Sequence, residues 1–437
     1  MKASVYADEY RRKLTTPAKA VEAIRDWDTL VHGVAIAEPP ALLGAIADRA
    51  RAGDLKELKI YSFFPMKHAL RTVLATDLCD VIRSYTWFVS GADRSLVRVG
   101  LNYFVPAYFH QIPKLCREYM KIDAVVTTVS PMDDNGFFSF GTANDLTSTA
   151  ARSCGRLIVE VNERMPRVFG ESLLHISEVD AIVENTAPLM ELPAAPAEPE
   201  DDAIGETIAA MIPDGATLQL GVGGLPNAVA GRLAGHRDLG IHTELFCPSM
   251  ADLIERGVVT GAKKTLHPRK NVFTLALGVE KTYAFIDDNP SMESYPVSYT
   301  NDPSVIARND NMISINSILE VDLLGQCNSE SLAGFQFSAT GGQLDFVRGA
   351  FNARGGKSIL AFYSTAKGGD VSRVVARLAP GAVVTTPRMD THILVTEYGT
   401  ADLKGKSTRE RALEIIGIAH PRFRDDLLKE AEEMYLL

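Results

Sequence analysis

Short apolar runs alternate with helical patterns on both sides of one break, residues 192–202, LPAAPAEPEDD. Three prolines and four acids fall there, with no amphipathic period, and such a stretch buries little and reads as a linker. Before it, residues 58–63, 124–129, 157–161 and 181–184 read as strands, and 40–52 and 111–120 as helices. After it, a helix over 203–212 leads into a strand at 217–220. A helix at 227–234, a strand at 240–246, a helix at 249–256 and a strand at 358–363 follow. This alternation predicts a mostly parallel sheet covered by helices. The expected fold class is therefore α/β. It comprises two open, mostly parallel-sheet domains of similar build, 1–191 and 203–437, joined by 192–202. A chain of 437 residues suits two domains of about 200 residues each. In open α/β sheets ligands bind beyond the carboxyl ends of the strands, so the loops after strands are where chemistry is sought.

Composition excludes several classes. The net charge is −10 and no Lys/Arg cluster stands out, which argues against a nucleic-acid partner. An anionic ligand would have to be held locally, by a few cations or helix N-termini. Cys79, Cys116, Cys154, Cys247 and Cys327 are odd in number and lack CxxC spacing. That argues against a disulfide framework and a structural zinc site, and points to a reducing, cytoplasmic setting. The opening residues MKASVYADEYRRKL carry no apolar core of a signal peptide, and no apolar run nears the ~20 residues that cross a bilayer, so no membrane role is expected. HxxxH and HExxH are absent, as are GxSxG and GxxxxGK[ST]. A catalytic metal, a serine hydrolase and a Walker-type ATPase are thereby disfavoured.

Five segments could carry chemistry. In Gln219-Leu220-Gly221-Val222-Gly223-Gly224-Leu225-Pro226 a strand runs into glycines and then a helix. Glycines admit close backbone approach, and the N–H groups of the next helix favour anions. A tight turn with no ligand explains the loop equally well, and the spacing is not that of a dinucleotide fingerprint. Glu244, in Gly240-Ile241-His242-Thr243-Glu244-Leu245-Phe246, ends a predicted strand among apolar neighbours. Partial desolvation would make its carboxylate a better nucleophile, although an ordinary strand-end glutamate is the commoner case. Thr340-Gly341-Gly342-Gln343 and Ser364-Thr365-Ala366-Lys367-Gly368-Gly369 are glycine turns, the second with a lysine able to meet a phosphate. Ser407 and Glu410 have capping-box spacing, which needs no ligand.

Taken in order, these segments resemble the acetyl-CoA hydrolase/transferase family, in particular its 4-hydroxybutyrate coenzyme A-transferase branch. The likeness covers nearly the whole chain: Ala37-Glu38-Pro39-Pro40, Ser130-Pro131 through Gly141, Glu160-Val161-Asn162 with Met165-Pro166-Arg167, then QLGVGGLPNAV, GIHTELF, EVDLLGQ, GGQLDF, STAKGG and TEYGTADLKGKS with IAHPRFR. The resemblance implies Glu244 as the catalytic glutamate. It implies Gly221, Val222, Gly223, Gly224 and Leu225 as a coenzyme A-binding loop, with further contacts from Leu319, Gly342 and Lys367. It further implies acyl-CoA and small carboxylic acids as substrates, ping-pong chemistry through a glutamyl-CoA thioester, no resident cofactor, and a homo-oligomer. After Glu244 this chain has Cys247-Pro248-Ser249-Met250 where relatives often carry a Ser-Asp-Gly-like run. The acceptor therefore stays open between 4-hydroxybutyrate, itaconate and succinate. An acyl-CoA hydrolase and a non-catalytic acyl-CoA-binding protein are the competing readings.

Overall fold

The computed structural model describes residues 5–193, 198–221 and 223–437. The chain forms two compact units. One comprises residues 1–193, 272–300 and 336–339; the other comprises 194–271, 301–335 and 340–437. The chain thus returns twice to the first unit after leaving it.

The first unit is built on seven strands: β1 (Thr29–His32), β2 (Leu58–Ser62), β3 (Ile82–Thr86), β4 (Asn102–Phe104), β5 (Ala124–Val129), β6 (Leu157–Val161) and β7 (Ala181–Glu184). They form one sheet in the order β7-β6-β5-β1-β2-β3-β4, with every pairing parallel. The central strands β5 and β6 are buried at every residue, as a parallel sheet covered on both faces requires. Helix α1 (Pro40–Arg51) turns Leu42, Leu43, Ile46, Ala47 and Ala50 inward, the i, i+3, i+4, i+7 spacing of one apolar face. That face packs on Leu30, Leu58, Ile60, Ala124, Val126 and Ile158. Two buried carboxylates cap helix starts here. Glu160 accepts from the N–H groups of Ala41 and Leu42, and Glu38 from those of Met66, His68 and Ala69. Burial outweighs these bonds and pushes both acids up to about 7.

The second unit carries β8 (Thr217–Leu220), β9 (Gly240–Ile241), β10 (Met312–Ser317), β11 (Lys357–Ala361), β12 (Ile393–Thr396) and β13 (Gly399–Asp402). Their order is β9-β8-β10-β11-β12-β13, parallel except for the closing hairpin β12–β13. Helices α2 (Pro199–Ala209), α3 (Gly224–Arg232), α4 (Pro248–Glu255), α5 (Gln343–Asn352), α6 (Thr408–Gly417) and α7 (Pro421–Glu433) belong to this unit. Among the described residues no helix is long and apolar enough to cross a membrane.

Three local expectations change. The acids at the end of the expected linker open α2: Pro199 takes the first helical position, and Asp201 accepts from the Glu198 N–H. Residues 194–197 of that stretch lie outside the described residues. The strand expected over 240–246 breaks into Gly240–Ile241 and Leu245–Phe246, with Glu244 on the bend between. Thr243 Oγ1 donates to the Leu245 carbonyl, a local bond that competes with an extended ladder. The helix expected over 111–120 is a single turn, Ile112–Lys114, followed by a wider turn over Leu115–Tyr119.

Candidate active site

In the second unit the chain leaves β8 for its neighbour β9 on one side, then returns to place β10 on the other. The strand order therefore reverses at the carboxyl ends of β8 and β10, where open α/β sheets leave a crevice for ligands. Gly221 follows β8, and its N–H donates to Ile315 of β10 at 3.0 Å. A Cβ on Gly221 would make only ordinary contact with that carbonyl and with Asn316, so space alone does not demand glycine there. Gln219 and Asn316 exchange two amide hydrogen bonds, 3.1 and 3.0 Å, and lock the two strand ends together. Gly223 sits at φ 129°, which only glycine adopts readily, and precedes α3. Gly224 and Leu225 are the first residues of that helix, and Val222 lies outside the described residues. The loop thus delivers backbone into the crevice and starts a helix there, the arrangement that suits an anion.

Glu244 reaches the same edge from β9. The parallel register Thr217↔Gly240 and Leu218↔Ile241 ends at Ile241, and Glu244 follows three residues on, at the bend. Asn301, fully buried, donates from Nδ2 to Glu244 Oε2 at 2.6 Å. The Asn301 Oδ1 has no partner among the described residues. Gly342, at the start of α5, completes the enclosure. Its φ of −95° suits any residue, yet a Cβ there would overlap both Glu244 Oε2 and Asn301 Nδ2. Space rather than backbone conformation demands glycine at this position. Glu244 itself is half-buried. Three residues on, Cys247 is a stronger nucleophile in principle. Burial raises its thiol, however, and its Sγ lies 3.2 Å from Ser249 Oγ, so it is held as the unreactive thiol.

The other expected contacts lie along the same edge. Leu319 follows β10, and its N–H is taken by the Asn328 carbonyl at 2.8 Å, so a backbone contact from it must use the carbonyl. Lys367 sits further out, exposed at the tip of the hairpin formed by Thr365–Ala366 and Val371–Ser372. It, Gly368 and Gly369 all have positive φ, which tightens the turn. The hairpin is anchored where Ser364 donates from both N–H and Oγ to the Glu397 carboxylate. Ser407 and Glu410 form the reciprocal capping box at the start of α6, a structural role. Asn301 escaped the sequence reading. It lies in no glycine loop or periodic segment, and only its burial against Glu244, 57 residues away, marks it. Among the described residues no group of three or more His, Cys, Asp and Glu could hold a metal ion.

Comparisons with known proteins bear on the same chemistry. Residues 1–191 match the family model described as acetyl-CoA hydrolase/transferase N-terminal domain, and residues 278–431 match its C-terminal domain. Succinyl-CoA:cyclohexane-1-carboxylate CoA transferase of Geobacter metallireducens is 43% identical over 98% of this chain and 97% of its own length. The crystal structure of RipA from Yersinia pestis superposes with a TM-score of 0.95 at 51% identity, covering 98% of this chain and 99% of that one. The crystal structure of 4-hydroxybutyrate CoA-transferase from Porphyromonas gingivalis gives 0.85 at 36% identity, covering 98% and 100%.

Proposed function

The chain belongs to the acetyl-CoA hydrolase/transferase family and is a CoA-transferase, and from that premise we propose that Glu244 is its covalent nucleophile. The Glu244 carboxylate attacks the thioester carbonyl of an acyl-CoA. The C–S bond breaks, leaving an acyl-glutamyl anhydride and the CoA thiolate. The thiolate attacks the glutamyl carbonyl, forms a glutamyl-CoA thioester and expels the first carboxylate. An acceptor carboxylate runs the same steps backwards and leaves as the new acyl-CoA. No net proton or electron is gained or lost.

The observation that carries this reading is the enclosure of Glu244 by Asn301 and Gly342 on the switch-point edge of the sheet. A carboxylate is a weak nucleophile in water, so orientation and oxyanion stabilisation must supply the rate. The Asn301 amide orients the carboxylate, and it is placed to donate to the oxyanion that forms on the glutamyl carbon. Backbone N–H groups of Gly342 and of Gly223, Gly224 and Leu225 are the remaining candidate donors. Leu319 and Lys367 extend the site along the coenzyme, Lys367 toward a phosphate. Contacts to the remote nucleotide can be used at the reacting centre.

The acceptor is a small carboxylic acid, 4-hydroxybutyrate, itaconate or succinate, with acetyl-, butyryl- or succinyl-CoA as donor. We propose further that the enzyme needs no resident cofactor and works in the cytoplasm as a homo-oligomer. A donor–acceptor panel tests the reading. New acyl-CoA should appear only with an acceptor present, and Glu244→Ala should abolish it. CoA release at the same rate without acceptor would make the enzyme a hydrolase instead.

A further inference from the structure

Strand β9 is two residues long and forms the edge of its sheet. The N–H groups of Gly240 and His242 donate inward, to Ala216 and Leu218 of the β8 side at 2.8 and 3.1 Å. Ile241, between them, therefore points its carbonyl outward, away from the sheet. Unpaired edge groups fray unless something receives them. Here the receiver is a buried ammonium. Lys264 is 4% exposed, and its Nζ donates to the Ile241 carbonyl at 2.8 Å and the Lys270 carbonyl at 2.7 Å. Its stem crosses Gly240, where a Cβ would overlap Cγ and Cδ of the lysine. Full burial of a lysine is rare, because an ammonium leaves water only where other acceptors replace it.

From Ile241 the chain runs through His242 and Thr243 to Glu244, and both intervening residues are fully buried. Across the bend the Thr243 hydroxyl donates to Leu245. The backbone leading to Glu244 is thus held upstream by Lys264 and downstream by Thr243, while Asn301 holds the carboxylate. We infer that Lys264 is a positioning residue for Glu244, clamping the outward carbonyl of Ile241 so that the carboxylate meets the thioester carbonyl in line. This rests on the reading of Glu244 as the nucleophile. It assigns Gly240 a reason too: the glycine opens the passage through which the lysine stem reaches the strand edge.

The test uses the full-length enzyme, acetyl-CoA and an accepting acid. Lys264→Met keeps the stem and removes the donors. It should lower kcat about a hundredfold, the scale of a misplaced reacting group, while KM for acetyl-CoA stays within about twofold. Gly240→Ala leaves the ammonium on the chain but blocks its path, and it should reproduce the same split. It also carries the test should Lys264→Met fold poorly. The combined variant should cost no more than the larger single change, because both remove one clamp. A kcat within about twofold of wild type in Gly240→Ala, a KM rising in step with the loss of kcat, or fully additive losses would overturn the inference. Undiminished transfer by Glu244→Ala would overturn it together with the reading beneath it. Full transfer by Lys264→Met, with Glu244→Ala inactive, would sink this inference alone.

Discussion

At the scale of single residues, the site is an exercise in excluded space. The Asn301 amide holds Glu244, and the missing side chain of Gly342 leaves room for the carboxylate and the amide beside it. Gly342→Ala should therefore fold normally, since its backbone conformation suits alanine. It should nonetheless lose about a hundredfold in kcat as the carboxylate is pushed aside. Steady-state kinetics beside a thermal melt would show the separation; a fully active Gly342→Ala would mean the carboxylate lies elsewhere during turnover. Asn301→Ala removes one donor and should cost about 100- to 1,000-fold in kcat.

At the scale of elements, local signals were legible where one residue type has one use. The capping box at Ser407 and Glu410 is such a case, and Ser407→Ala should cost about 1 kcal/mol in urea unfolding with kcat unchanged. An effect on kcat would move α6 into the site. The buried strands β5 and β6 were readable because AVVTTV and LIVEV are short runs rich in β-branched residues. The strands Ile82–Thr86 and Asn102–Phe104 were not, since IRSYT and NYF lack such a run; the first is held by register with β2, and the second by register with β3. The acids after Pro199 looked like linker because a helix N-terminus and a solvated spacer share Pro, Glu and Asp. Glu244 stands out in the sequence only as a carboxylate at a predicted strand end among apolar neighbours, and the family resemblance singles it out. Asn301 and Lys264 were invisible, because their roles exist only through burial against distant backbone and side chain.

At the scale of the whole molecule, buried acids link stability to pH. Glu38 and Glu160 hold their protons to about 7 in the folded protein, whereas the unfolded chain releases them near pH 4.5. Between those values the folded state binds more protons, so their contribution to stability falls as pH rises from about 4.5 to about 7. Glu38→Gln and Glu160→Gln should each flatten that part of the stability–pH curve relative to wild type, by one to a few kcal/mol across the window. Curves that stay parallel would show both acids ionised in the fold.

The account depends most on which side chain becomes acylated. The direct measurement is to incubate the enzyme with acyl-CoA, reduce with borohydride and locate the change by peptide mass spectrometry. Reduction of the Glu244 carboxylate to an alcohol, with loss of activity in proportion, is the predicted result. Modification at another residue, or an unmodified and active Glu244 while product still forms, would contradict it.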